Sequence, residues 1–401
     1  MFWKNKKIKN RNFFVSIGAG LNQIPLIREA QNMGFQIIGV DQNFAAPGFY
    51  YCDLKIQESI DDYESIYIKL KEMMFDGTIS AIMTKSYGNA IKTTAYLCEK
   101  FEIPLIPFEE SKKFLNKKTT GKIYKIKGIQ VPRAAKTSSK NLNSQFPMVA
   151  KPQKGHAKTD VKLLHNKEEL NSFLKFHKKN KFIFENFIPG DEIICAGLID
   201  KGKYYHIIMS DKKRTPLPFF VDLMHSTPSK YSHLIDKTIK TGQMIAEIFN
   251  IQTSPMIMEF IVDEKDELYL LEAVPEFGGE FIPDILIPAA TGYNHIAGAI
   301  MAVTGNPLKK PSKNTLPAPV VIKYITGTKG ILSSCNMDSV KLMPDVLFAR
   351  IFKDIGSQIK TPKMNHDRIG VIAAKGKTLE QAIATAAETE KKMNIRIRTD
   401  E

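Results

Sequence analysis

The sequence predicts a multidomain fold combining α/β and α+β parts, and three observations carry that expectation. The chain has 401 residues, more than one compact hydrophobic core usually organises. Between residues 13 and 107, short apolar strands alternate with helical stretches, the pattern of a doubly wound parallel sheet. Further along, apolar runs follow one another through short charged turns, the pattern of antiparallel hairpins.

Phe13-Phe14-Val15-Ser16-Ile17 reads as the first strand, broken by Gly18-Ala19-Gly20. A helix from about Gln23 to Met33 ends at Gly34, and the second strand runs from Phe35 to Asp41. A third strand, Ile79 to Met83, precedes a helix through Leu97 to Phe101 and the run Ile103-Pro104-Leu105-Ile106. Residues 108–132 read as helical and lysine-rich. Phe146 to Leu164 reads as a hairpin around a basic turn from Lys151 to Lys158. A helix over 168–178, strands at 182–185 and 192–199 and a helix over 232–249 follow. Pro307, Pro311 and Pro317 mark a linker, and beyond it come further strands and an amphipathic helix over 378–393.

Composition narrows the function classes. Apolar residues make up 43% and charged residues 25%, and no apolar run approaches the roughly 18 residues of a membrane span. The basic N-terminus, Met1 to Arg11, has no apolar core behind it and is not a secretory signal. Cys52, Cys98, Cys195 and Cys335 lie far apart with no CxxC, which argues against a zinc site or disulfide framework and suits a reducing cytoplasm. The net charge of +15 is mostly scattered lysine without interleaved aromatics, so a nucleic-acid partner is not expected. An anionic small molecule such as a nucleotide, or lysine-rich composition alone, accounts for it. Gly18-Ala19-Gly20 with acidic Asp41 keeps a nicotinamide-cofactor alternative open, but Gln23 stands where the fingerprint needs its third glycine; a tight strand-to-helix turn is the simpler account.

Glu259 and Glu272 are the most informative pair. Each follows strongly apolar residues, and the charged turn Asp263 to Glu267 between them predicts one antiparallel hairpin. Carboxylates beside apolar strands are costly unless paired or bound to a cation. Two side by side suit a hard cation such as Mg²⁺, although glutamates at the wet end of ordinary strands would look the same.

From about residue 13 to the C-terminus, ordered motifs resemble the ATP-grasp superfamily, carboxylate–amine ligase type. They are Gly18 to Pro25, Val40 to Gly48, Asn116-Lys117-Lys118, Val149-Ala150-Lys151-Pro152, Phe184 to Glu192, and Glu259 with Leu270 to Gly279. The resemblance implies an N-terminal pre-ATP-grasp domain (1–110), a two-lobed ATP-grasp domain (111–308) and a C-terminal α+β domain (309–401). By resemblance, Lys117 and Lys151 hold ATP phosphates, Glu185 with the backbone of Phe187 and Ile188 holds adenine, and Glu192 holds ribose. Glu259 and Glu272 would ligate Mg²⁺, with Mn²⁺ as a substitute. Lys212, Lys213 or Arg214 would supply another cation near the terminal phosphate. The implied reaction activates a small-molecule carboxylate as an acylphosphate and joins it to an amine substrate, releasing ADP, with amino-acid or peptide ligation as one form. The implied enzyme is cytoplasmic and has no membrane partner; a homodimer is left open.

Three positions depart from the family pattern. The loop after Lys151-Pro152 has only Gly155 where small residues are usual. Val274 replaces an asparagine ligand, and Glu276 stands where an arginine often holds a substrate anion. Glu276 would face a substrate amine, add a metal ligand, or mark lost turnover. Arg368 is a candidate replacement anion anchor. Alternatives to the ligase are therefore an ATP-dependent carboxylase or purine-pathway enzyme of the superfamily, and a degenerate nucleotide-binding module. Specificity is expected in loops such as 210–230.

Overall fold

The computed structural model describes residues 11–73, 77–135, 145–155, 158–307, 316–340 and 342–398. Parts of the expected linker, Pro311 among them, and His156 of the basic turn lie outside the described residues. Strands β1 (Arg11–Ile17), β2 (Gln36–Asp41), β3 (Leu54–Gln57) and β4 (Gly77–Met83) form a parallel sheet in the order β3-β2-β1-β4. Phe14, Val15 and Ile17 are fully buried, which is why the short apolar run becomes a central strand. The Asp41 carboxylate accepts the Ala19 N–H at 2.9 Å and the Asn43 N–H at 2.9 Å. Asp41 thus clamps the Gly18-Ala19-Gly20 turn, and the tight-turn account of that motif accounts for its carboxylate.

A second, smaller sheet is antiparallel: β5 (Met148–Pro152), β6 (Lys162–Leu164) and β7 (Phe182–Asn186), ordered β6-β5-β7. The helix Lys167–Phe176, capped by the Asn166 side chain, packs Leu170 and Phe173 against Met148, Ala150, Leu164 and Phe184. The remaining strands are β8 (Asp191–Asp200), β9 (Lys203–Arg214), β10 (Asp222–Thr227), β11 (Thr253–Val262), β12 (Leu268–Val274), β13 (Val320–Ile325), β14 (Gly330–Ser334), β15 (Val346–Ile351), β16 (Gln358–Ile359), β17 (Gly370–Lys375) and β18 (Arg396–Arg398). Eight of them build one sheet in the order β12-β11-β8-β9-β10-β13-β17-β15, so strands from both sides of residue 308 share it. The helix Ile235–Ile248 lies close to this sheet because Gly242 sits over the Tyr204 ring, where an added Cβ would meet ring atoms at 2.7 Å. β14, β16 and β18 form a small separate sheet.

Three expectations need correction. Residues 210–230 are not a loop: β9 and β10 occupy most of the segment and pair antiparallel, with Lys212 opposite His225. The charges of Lys212, Lys213 and Arg214 concealed a strand, because Lys212 is buried among carboxylates. Residues 108–132 break into two helices, Phe108–Lys113 and Lys117–Ile126. Asn116 breaks the run: its side chain caps the second helix by accepting the Lys118 and Thr119 N–H groups. β3 and the helix Tyr63–Met73 are additions not anticipated from the sequence. Among the described residues, no single helix is long and apolar enough to cross a membrane.

Candidate active site

β11 and β12 form the expected hairpin, with Glu259 directly opposite Glu272. A cavity of about 670 Å³ opens beside them, lined also by Lys117, Lys151, Glu185, Phe187, Ile188, Glu192, Glu276 and Arg368. Lys117 starts its helix next to the Asn116 cap, half-buried, whereas Lys118 is exposed. The backbone N–H of Lys117 donates to Gln153 O at 2.9 Å, which ties that helix to the turn after β5. Lys151 is the penultimate residue of β5, and its ammonium lies 2.7 Å from Glu185 on the neighbouring β7. The Phe187 N–H donates to Pro147 O at 3.0 Å.

The charges form a ladder of pairs across the cavity. Lys117 pairs with Glu272. Lys158, from the turn after β5, places its ammonium 3.4 Å from both Glu192 and Glu259. Lys212, with a side chain only 2% exposed, lies 3.5 Å from Glu192, 3.2 Å from Glu259 and 3.4 Å from Asp222. Arg214 lies 2.7 Å from Glu192, while Lys213 between them is exposed on the other face of the strand. Burial raises the pKa of both Glu192 and Glu259, but Lys158 and Lys212 outweigh it and hold both carboxyls below the usual range. For Lys212 burial works against the charge, and Asp222, Glu259 and Glu192 more than compensate.

A second network closes the far wall. Glu280 accepts from Arg368 at 2.9 Å, from Asn365 at 3.0 Å, and lies 2.7 Å from His225 Nε2. Arg368 also donates to Asn365 O at 2.9 Å and stacks on the Tyr324 ring at 3.8 Å. Asn365 donates to the buried Asp222 at 2.8 Å. Burial raises the Asp222 pKa, opposed by Lys212 and reinforced by Glu280. Glu276 stands apart: burial pushes it up to about 8, helped by Glu272 and opposed by Lys117.

The structure therefore brings Lys117, Lys151, Glu185, Phe187, Ile188, Glu192, Glu259, Glu272, Glu276 and Arg368 to one cavity, with Lys212 buried behind its carboxylates. Sequence reasoning did not single out Asp222, Glu280 or Asn365, and it reached Lys158 and His225 only as members of the turn after Lys151 and of the segment 210–230. The signal at Lys158 was its place in a glycine-poor turn. There it adopts φ 57°, and Asp160 adopts φ 55°, left-handed conformations that usually favour glycine.

Glu259 and Glu272 present oxygens only and already gather cations, so they fit a hard divalent ion that takes its other ligands from phosphate and water. Among the described residues, no group of three His, Cys, Asp or Glu side chains forms a complete metal cage.

Residues 144–284 match the ATP-grasp domain model, and residues 323–398 match L-amino acid ligase C-terminal domain 2. The chain thus carries an ATP-grasp domain over residues 144–284. Its further resemblance is to carboxylate–amine ligases, through that C-terminal match. A D-alanine–D-alanine ligase A from Bacillus cereus is 33% identical over 96 residues, covering 22% of this chain and 32% of that protein. The match thus spans about a third of the relative's length. The crystal structure of an L-amino acid ligase from Bacillus licheniformis superposes with a TM-score of 0.79 at 18% identity, over 98% of this chain and 99% of that one. A phosphoribosylglycinamide synthetase from Anaerococcus prevotii superposes with a TM-score of 0.75 at 19% identity, over 97% and 100%.

Proposed function

We propose that the protein is an ATP- and Mg²⁺-dependent, ADP-forming ligase that joins a carboxylate to an amine, with an amino acid among its substrates. The observation that carries this reading is the shared cavity of Lys117, Lys151, Glu185, Glu192 and the opposed Glu259–Glu272 pair. Lys117 and Lys151 would bind the phosphates, Glu185 and Glu192 the adenine and ribose, and Glu259 with Glu272 the metal. Mg²⁺ would neutralise phosphate charge and align it for transfer. A carboxylate oxygen attacks the γ-phosphorus, ADP leaves, and the amine displaces phosphate from the acyl carbon. The protein's own share is positioning and charge stabilisation.

The matched L-amino acid ligase C-terminal domain 2 and the D-alanine–D-alanine ligase relative support the amino-acid form. The three-part division near residues 110 and 308 and a reducing cytoplasmic setting belong to the same proposal; all four cysteines are free thiols. The test is ADP release with Mg²⁺, amino acids and amines. Amine-dependent ADP and phosphate formation supports the ligase. Dependence on bicarbonate assigns a carboxylase instead, and ATP binding without stimulated ADP release leaves a binding module.

A further inference from the structure

Among the described residues, seven carboxylates line the cavity, and six of them have a basic side chain within 3.5 Å. Glu276 is the exception: among the described residues its side chain has neither an ion-pair nor a hydrogen-bond partner. The lysines whose fields reach it are committed elsewhere, Lys117 to Glu272 and Lys85 to Asp284 at 3.0 Å. An unpaired carboxylate inside a protein is costly, and the cost falls when a cation arrives. Glu276 and Gly279 line the same cavity, and Gly279 has nothing within 4 Å of the position its Cβ would take. A ligand group therefore has room to reach Glu276.

Glu276 lies four residues beyond Glu272 and feels the negative charge of Glu272 and Glu259. The carboxylate to be activated must approach the metal-side pair, because the phosphate it attacks is held there. In an α-amino acid the ammonium nitrogen is two bonds from the carboxyl carbon, so it arrives in the same neighbourhood. We propose that Glu276 receives the ammonium group of the acid that is activated, which makes that substrate an amino acid rather than a simple carboxylic acid. This inference rests on the ligase reading and names the substrate class for its first step. The ammonium is held and takes no part in bond making; the attacking amine belongs to the second substrate.

The test compares amino acids with the same acids lacking the ammonium: glycine with acetate, alanine with propanoate, leucine with 4-methylpentanoate. Binding to the full chain is measured by calorimetry with Mg²⁺ and a non-hydrolysable ATP analogue, beside ADP release with ATP. The expected result is a preference of about tenfold or more for at least one amino acid over its partner. Glu276→Gln should collapse that ratio to about twofold or less; the wild-type ratio stands as evidence even if the variant does not fold. Equal binding of paired acids, or an undiminished ratio in folded Glu276→Gln, overturns the inference and leaves the ligase intact. A cation preference confined to the amine partner, diamines over monoamines, also overturns it. Failure of every acid to bind or to stimulate ADP release overturns the ligase reading itself.

Discussion

Glu259 and Glu272 face each other across the β11–β12 ladder, and each is neutralised by lysine from elsewhere in the chain. Like charges directly opposite in a sheet are destabilising, so the arrangement needs cations. Lysines supply them here, and a divalent ion between nucleotide and hairpin would do so during turnover. Glu272→Gln should cut Mg²⁺-dependent ADP formation by at least about 10²-fold, the scale on which removal of one preorganised electrostatic contact is felt. Circular dichroism and the melting temperature should change little, because the Glu272 side chain is 36% exposed. Activity close to wild type would reassign the metal site.

Lys158, from the turn after β5, lies 3.4 Å from both Glu192 and Glu259. When nucleotide phosphates arrive, its ammonium is positioned to exchange carboxylates for phosphate. A hydrogen bond to a charged group contributes about 1.5–3 kcal/mol, so Lys158→Ala should raise the KM for ATP about tenfold or more. A KM unchanged by the substitution would confine Lys158 to holding the two glutamates apart.

Lys212 is a different kind of lysine. Its side chain is 2% exposed, and three carboxylates surround it. Removing one partner of a buried pair leaves charge without compensation and costs about 3–5 kcal/mol. Lys212→Met should therefore destabilise the fold by that order in chemical denaturation. Lys117→Met, which breaks a half-exposed pair with Glu272, should cost about 1 kcal/mol or less. Similar losses in the two variants would mean the Lys212 network is solvated in solution.

The sequence carried those parts of the site whose chemistry conflicts with local polarity. Glu259 and Glu272 stood out because carboxylates followed apolar strand residues, and Lys151 because a lysine ended one. Lys212 was legible only as one of three candidate cations, and its burial was not: it sits in Asp211-Lys212-Lys213-Arg214, which looks like solvent-facing loop until β8, β10 and β11 surround it with acids. The Asp222–Asn365–Glu280–Arg368 network joins residues up to 146 positions apart, a distance no local pattern encodes. Residue type did flag Arg368 as an anion anchor, but its guanidinium is largely engaged by Glu280, Asn365 and Tyr324. The doubly wound sheet was legible because alternation of apolar strand and helix is itself a local pattern, whereas β3 is only four residues long with one buried side chain.

Glu276 offers a test that needs no substrate. Burial raises its pKa from an ordinary value of 4.5 to about 8; Glu272 and Glu259 add to the rise, and Lys117 and Lys85 oppose it. Tyr87 is the other titratable group influenced by it, with a pKa raised above 10.0 by burial and then by Glu276, beyond this range. Between the two Glu276 values the folded chain keeps a proton that the unfolded chain has released. Fewer protons bound on unfolding means that stability falls as pH rises, starting near the unfolded value and levelling once the folded carboxyl has ionised. Glu276→Gln cannot ionise and escapes that loss. In calorimetry its melting temperature should match or trail the wild type near pH 5 and gain on it steadily through about pH 8. Beyond that point the gap should stay constant. Parallel curves across the range would show that the Glu276 carboxylate already has a compensating cation in solution.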